Sequence, residues 1–114
     1  METFRDIEFY ETEAGRSPVL AFIEAKTRRD ERAKIMSVFE NVERMQQVPA
    51  NFLKKIQGQK NLWEIRVLRF RFLGFYADAR RLVLVRGFVK QGQKTPLEEI
   101  DVAVKRQSMY LSTR

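Results

Sequence analysis

The sequence contains no cysteine and no histidine. Without thiols it forms no disulfide and offers no thiolate to a metal. Without imidazole it lacks the commonest metal ligand and the commonest general base, so any catalysis falls to Lys, Arg, Tyr, Asp or Glu. Glycine and proline are sparse, at 5 and 3 in 114 residues. There is no Gly-rich phosphate loop, no nucleophile elbow, no metal-ligand spacing, no internal repeat and no low-complexity stretch. No apolar run approaches the roughly 20 residues that span a bilayer. The start, Met1-Glu2-Thr3-Phe4-Arg5-Asp6, is polar and acidic, unlike a signal peptide. The expectation is a cytoplasmic protein with no membrane partner, no cofactor and no bound metal. Acidic side chains are scarce in one stretch above all: residues 54–94 hold two Asp/Glu against eleven Lys/Arg.

What is present suits one ordinary domain, 1–114. The 44% hydrophobic and 11% aromatic content can bury a core, which excludes disorder. The formal net charge is +7, and residues 54–94 alone carry +9. Such a local excess concentrates anions, and nucleic acid is the leading candidate partner.

Ile7 and Phe9 alternate with charged neighbours in Arg5–Thr12, which predicts a half-buried strand. Ser17-Pro18 predicts a helix start, with Ser as N-cap. A second helix is expected from about Asp30 to Gln47, with Ile35, Met36, Phe39, Val42 and Met45 on its apolar side and Glu31, Arg32, Lys34, Glu40 and Glu43 opposite. Asn51–Asn61 reads as a polar connection. Leu62–Leu68, Arg69–Ala77 and Leu82–Lys90 read as strands, the last two joined as a hairpin by Asp78-Ala79-Arg80-Arg81. Thr95-Pro96 with Glu98 predicts a capped helix to about Ser112, with Leu97, Ile100, Val104 and Leu111 along its apolar edge. The fold class is α+β: a mostly antiparallel four-stranded sheet, two helices in the N-terminal half and one at the C-terminus. Helices should cover one sheet face and leave the other partly wet.

Strand alternation then assigns side chains to faces. Trp63, Ile65 and Val67 share one side and should face the helices, so Arg66 projects from the other. Both sets of the next strand are apolar; if Phe70 and Phe72 face the core, Arg71 joins Arg66. In the last strand Val83, Val85 and Val89 fit the core, leaving Arg86, Phe88 and Lys90 outside, with Lys94 just beyond. The open face thus collects Arg66, Arg71, Arg86, Lys90 and Lys94, with Phe88 and Phe75 as flat surfaces for bases. Lys54, Lys55, Lys60 and Arg69 add nearby charge for RNA. Arg suits phosphate bidentately. Glu98, Glu99 and Asp101 lie in a first helical turn, where the helix dipole accounts for them.

Leu62-Trp63-Glu64-Ile65-Arg66, then Val83-Leu84-Val85-Arg86-Gly87-Phe88-Val89-Lys90, then Gln93-Lys94-Thr95-Pro96 with Glu98-Glu99-Ile100, resembles the RelE/HigB-like toxins of type II toxin–antitoxin pairs. The phage-related, HigB-type branch is the nearest in pattern, and the order of elements extends the resemblance over nearly the whole chain. The resemblance implies a RelE-like fold and an mRNA interferase, a metal-independent endoribonuclease that cuts mRNA in the ribosomal A site. It implies an adjacent antitoxin, typically with a helix-turn-helix domain, through which any contact with DNA would run. Arg66, Lys90 and Lys94 match the family's recurrent basic positions. Arg71 matches less closely, because Arg71-Phe72-Leu73-Gly74-Phe75-Tyr76 departs from the usual strand, and Gly74 signals a bulge or a close approach. Some relatives place histidine or a C-terminal tyrosine at the scissile phosphate; here there is no histidine, and Tyr110 reads as helix packing.

RNA supplies its own nucleophile, the 2′-hydroxyl. On this reading Arg66 and Arg71 stabilise charge on the phosphorane, and Lys90 or Lys94 moves protons. A cluster of cations disfavours the charged form of a lysine within it, which is a route to activating one. Two other readings fit the same surface: a non-catalytic module that binds RNA or a ribosomal site, and a gyrase-inhibiting toxin of the ParE kind, against which the basic cluster leans.

Overall fold

A computed structural model describes residues 2–113. Their elements run β1 (Asp6–Phe9), α1 (Pro18–Lys26), α2 (Arg29–Arg44), β2 (Leu53–Lys55), β3 (Trp63–Val67), β4 (Phe70–Tyr76), β5 (Arg81–Val89) and α3 (Leu97–Ser112). The α+β class holds, but the sheet has five strands rather than four, in the order β1-β5-β4-β3-β2. It is mixed: β1 runs parallel to β5, and the other neighbours are antiparallel. The extra strand, β2, lies in the stretch read as a polar connection. Three residues are too few for alternation to register.

The N-terminal layer forms largely as its residues dictate. The Ser17 side-chain oxygen accepts the Leu20 backbone N–H at 3.2 Å, and Pro18 opens α1. On α2, Ile35, Val38, Phe39 and Val42 are buried, whereas Met36 and, at the C-cap, Met45 are exposed; the helix ends at Arg44, short of the Gln47 expected. Glu31 leaves the polar face expected for it. It accepts the Arg28 backbone N–H at 2.9 Å and pairs with the Arg69 guanidinium, and it is buried. The Arg28 N–H, first among these, holds the Glu31 carboxyl below the usual range against a desolvation cost that acts the other way.

Helices cover both faces of the sheet, which corrects the single covered face expected. α1 and α2 lie over Ile65, Val67, Phe70, Phe72, Leu82 and Leu84. α3 lies over Leu73, Phe75, Val83, Val85 and Phe88. The two apolar sets of β4 reflect this: a strand buried on both sides need not alternate. α3 packs on β4 and β5, so the β3–β2 side of its face stays open to solvent.

Val83 and Val85, expected on the Trp63 side, lie on the α3 side, with Leu82 and Leu84 taking their place, and a bulge explains this reversal. Leu73 pairs with Arg86 and Gly74 with Leu84, leaving Val85 without a partner. The extra residue switches sides for everything after it. Val85 and Arg86 both turn toward α3, Phe88 joins Val83 beneath that helix, and Val89 moves to the α1 side, opposite Phe70. A Cβ on Gly74 would stand 2.6 Å from the Val83 carbonyl oxygen, so a side chain there has no room.

The start of α3 also differs from the capping box expected. Pro96 occupies the N-cap position, and no side chain caps the helix. The Thr95 hydroxyl donates to Glu64 Oε2 at 2.7 Å instead. Leu97 and Leu111 are exposed, and the helix buries Ile100, Ala103 and Tyr110.

Candidate functional site

The site begins at the β3–β4 hairpin. Only Leu68 and Arg69 separate the strands, so Arg66 and Arg71 face each other across the ladder. Leu68 takes φ 54°, a conformation that costs a non-glycine residue of order 1–2 kcal/mol. Cations directly opposite on neighbouring strands repel. A strained turn that enforces such a pair is the kind of local cost that gathers at functional sites.

Glu64 offsets the repulsion. It is 3% exposed, yet it lies between the two arginines and the α3 approach. Arg66 Nε donates to Glu64 Oε1 at 2.9 Å, and Thr95 satisfies the other oxygen. Burying a carboxylate is tolerable only when it is paired and hydrogen-bonded, and here both oxygens are used. Arg66 keeps its two terminal amino groups without a hydrogen bond among the described residues. Arg71 Nη1 donates to the Leu68 and Phe70 carbonyl oxygens at 2.9 and 2.8 Å. Burial lowers the Arg71 guanidinium from the usual arginine value; Glu64 opposes that shift and Arg66 adds to it.

A cleft of about 350 Å³ opens above this floor. Lys54, Lys55 and Gln57 form its β2 wall, Arg66 and Glu64 its base, and Gln93, Lys94 and Thr95 its opposite lip. Lys54 pairs with Glu64 in the β2–β3 ladder. A small depression adjoins it, lined by Arg71, Phe88, Lys90 and Gln91 and sharing Glu64, Gln93, Lys94 and Thr95. Arg66, Arg71, Lys90 and Lys94 are therefore gathered around one carboxylate, with Lys54 and Lys55 on the rim. The arrangement suits a phosphodiester: cations converge on the cleft, and bidentate donors remain on Arg66.

Other expected residues lie elsewhere. Arg69 turns to the α2 side, where it pairs with Glu31 and stacks 4.5 Å from the Phe70 ring centroid. Arg86 pairs with Glu99 at 2.6 Å, past the depression. Lys60 sits in the turn before Asn61, on no wall of the cleft. Phe88 is 6% exposed and Phe75 fully buried, so neither offers a face on which a base can stack. Phe88 lies on the Arg66 face as alternation predicts, but α3 covers that face over β4 and β5 and buries it. Tyr110 is packing, as expected: it meets the Phe75 ring and its hydroxyl donates to Glu8 Oε2 at 2.6 Å. Glu64 and Thr95 are the residues that strand alternation and capping rules missed. A signal for Glu64 was present, since it is one of only two acidic residues in 54–94. Among the described residues no cluster of acidic side chains could hold a metal ion.

Fold and cleft together define a small α+β protein with a basic cleft at one end of its sheet. The chain belongs to the family described as Phage derived protein Gp49-like (DUF891), whose model matches residues 25–108, from the end of α1 through most of α3. This family is of the RelE/HigB-like toxin type and is associated with the toxins of toxin–antitoxin pairs. No curated protein matches the sequence.

Proposed function

We propose that this protein is the toxin of a type II pair, of the phage-related HigB-type branch, and that it cuts mRNA on the ribosome in the cytoplasm. The observation that carries the reading is the convergence of Arg66, Arg71, Lys90 and Lys94 on a cleft floored by the buried Glu64. A surface that only attracted RNA would not need two arginines forced together over a strained turn. The phosphate sits against the free amino groups of Arg66, with Arg71 behind. They stabilise the charge that develops as the 2′-hydroxyl attacks. Lys94 and Lys90, exposed at the lip, carry the proton transfers, and the ribosome supplies much of the alignment. The partner is an antitoxin encoded next door, with a helix-turn-helix domain through which the pair meets DNA.

The test compares Arg66→Ala and Lys94→Ala with Lys60→Ala and Arg80→Ala in a translation mixture. The cleft variants should lose roughly a hundredfold or more in mRNA cleavage, while the outer pair should stay near wild type. Equal losses in all four would favour a module that binds without cutting. Inhibition of supercoiling with intact mRNA would favour the gyrase-directed reading.

A further inference from the structure

A second basic site lies on the far side of β5. β1 accompanies β5 only over Arg81–Leu84, so the edge of Arg86–Val89 that faces away from β4 has no strand alongside. α1 and α3 close on this open edge from opposite faces and leave a notch of about 440 Å³. Lys26 enters from α1, Arg86 from β5, and Arg106 and Glu99 from α3. Arg86 Nε donates to Glu99 Oε1 at 2.6 Å, and Arg106 Nη1 to the Val85 carbonyl oxygen at 2.7 Å. Burial lowers the Arg106 guanidinium from the usual arginine value, and Arg86 pushes it further the same way. The two arginines are thus close enough to repel, with one carboxylate between three cations. The cleft shows the same composition, with Arg66 and Arg71 around Glu64. The two sites are also continuous, because Phe88 and Gln91 line both the notch and the depression beside Lys90 and Lys94.

We propose that the notch is a second phosphodiester subsite, in which Lys26, Arg86 and Arg106 hold a phosphate of the same RNA strand beyond the reacting one. The inference rests on the RNA reading of the cleft and extends it. RNA would run from the β2 wall past the Lys90–Lys94 lip, beside the start of α3, to the outer edge of β5. Two features favour a phosphate over a peptide strand added to that edge. Cations outnumber the carboxylate three to one in the notch, and Arg106 already occupies the Val85 carbonyl that an added strand would need.

The experiment is fluorescence anisotropy at low ionic strength with a labelled single-stranded trinucleotide and decanucleotide RNA. Lys26 is exposed and has no hydrogen bond or ion pair among the described residues, so Lys26→Glu should fold normally. Arg106→Lys keeps a donor near the Val85 carbonyl. Either variant should bind the decanucleotide about tenfold more weakly, the worth of one charge-assisted contact. Lys26→Glu, which removes a cation, should also make the salt slope shallower by about 0.7, whereas Arg106→Lys keeps its charge and loses only the bidentate fork, so its slope should hold. Trinucleotide affinity should not change, whereas Lys94→Ala should weaken both RNAs. Wild-type decanucleotide binding by both notch variants would overturn the subsite. Equal loss on both RNAs would also overturn it, because the notch would then act only through the general field. If the variants keep their RNA affinity but no longer co-purify with the adjacent gene's product, the notch is a protein-binding edge and the proposal is wrong. Binding of neither RNA by the wild type would instead sink the RNA reading of the cleft, and the subsite with it.

Discussion

Glu64 shows at the scale of one residue how the site is held. A carboxylate this buried needs every donor it has, and among the described residues it has two: Arg66 Nε and the Thr95 hydroxyl. Truncating Arg66 leaves it short of its charged partner, so Arg66→Ala should lower stability by about 1–3 kcal/mol beyond any effect on cleavage. Lys94, exposed and unpaired among the described residues, should cost no more than about 0.5 kcal/mol when cut to alanine. Urea unfolding separates the two. Thr95 ties the Lys94 segment to the sheet through Glu64, so its hydroxyl should matter to the rate more than to substrate binding. Thr95→Val should lower kcat about tenfold or more and leave KM within about twofold, and Thr95→Ser should restore activity. Failure of the serine variant would show that the methyl group matters rather than the hydroxyl, and would remove Glu64 from the positioning of Lys94.

Among the elements, α1, α2, β3 and the β4–β5 hairpin were legible because each repeats its pattern over enough residues or carries a strong local signal. Ser17-Pro18 is such a signal, and so is the alternation of Trp63, Ile65 and Val67 against Glu64 and Arg66. What escaped reading depended on one residue's tertiary partner. Thr95 has the chemistry of an N-cap, but a buried carboxylate nearby is the better acceptor. Val83 and Val85 have the parity of residues beside Trp63 and Ile65 if the strand is regular, but the unpaired Val85 puts them on the α3 face with Phe88. Gly74 carried the only sequence signal of that shift. Gly74→Ala should force the β4–β5 contact apart and destabilise by about 1–3 kcal/mol, the usual range for overpacking; an unchanged melting temperature would show that the bulge relaxes freely. The hairpin's other end has a pH signature. Asp78 accepts from the Arg81 side chain at 2.8 Å and from the Arg80 and Arg81 backbone N–H groups at 2.8 and 2.9 Å. Arg81 first, then these N–H groups, hold its carboxyl down to about 2. A folded pKa below the unfolded value near 3.9 means that the native state binds fewer protons between them. The Asp78 contribution is therefore full above about pH 4 and is lost as pH falls toward about 2. The stability gap between wild type and Asp78→Asn should close over that window, and a constant gap would mean that the turn is held by something other than the charged carboxylate.

In the whole molecule the charge is segregated: residues 54–94 carry +9 of a net +7, so the remainder is slightly acidic. That basic segment contains β2 to β5 and the lip of the cleft, while α1 and α2 belong to the acidic remainder. A field organised this way binds a polyanion on one side, and a ligand that binds only the native state stabilises it by mass action. Single-stranded RNA at about 100 times its Kd should add about 2.7 kcal/mol at low salt, which for a chain of this size raises Tm by roughly 10 °C. The rise should shrink steeply with added salt, because each phosphate contact releases counterions. Lys60 and Lys94 carry the same charge but differ in place, one in an outer turn and one at the lip where both cavities meet. If the cleft is where RNA sits, Lys94→Ala should lose much of the rise and Lys60→Ala should keep nearly all of it. Equal losses would mean that the polyanion senses only net charge, and a rise that survived high salt would mean that phosphate contacts are not what holds it.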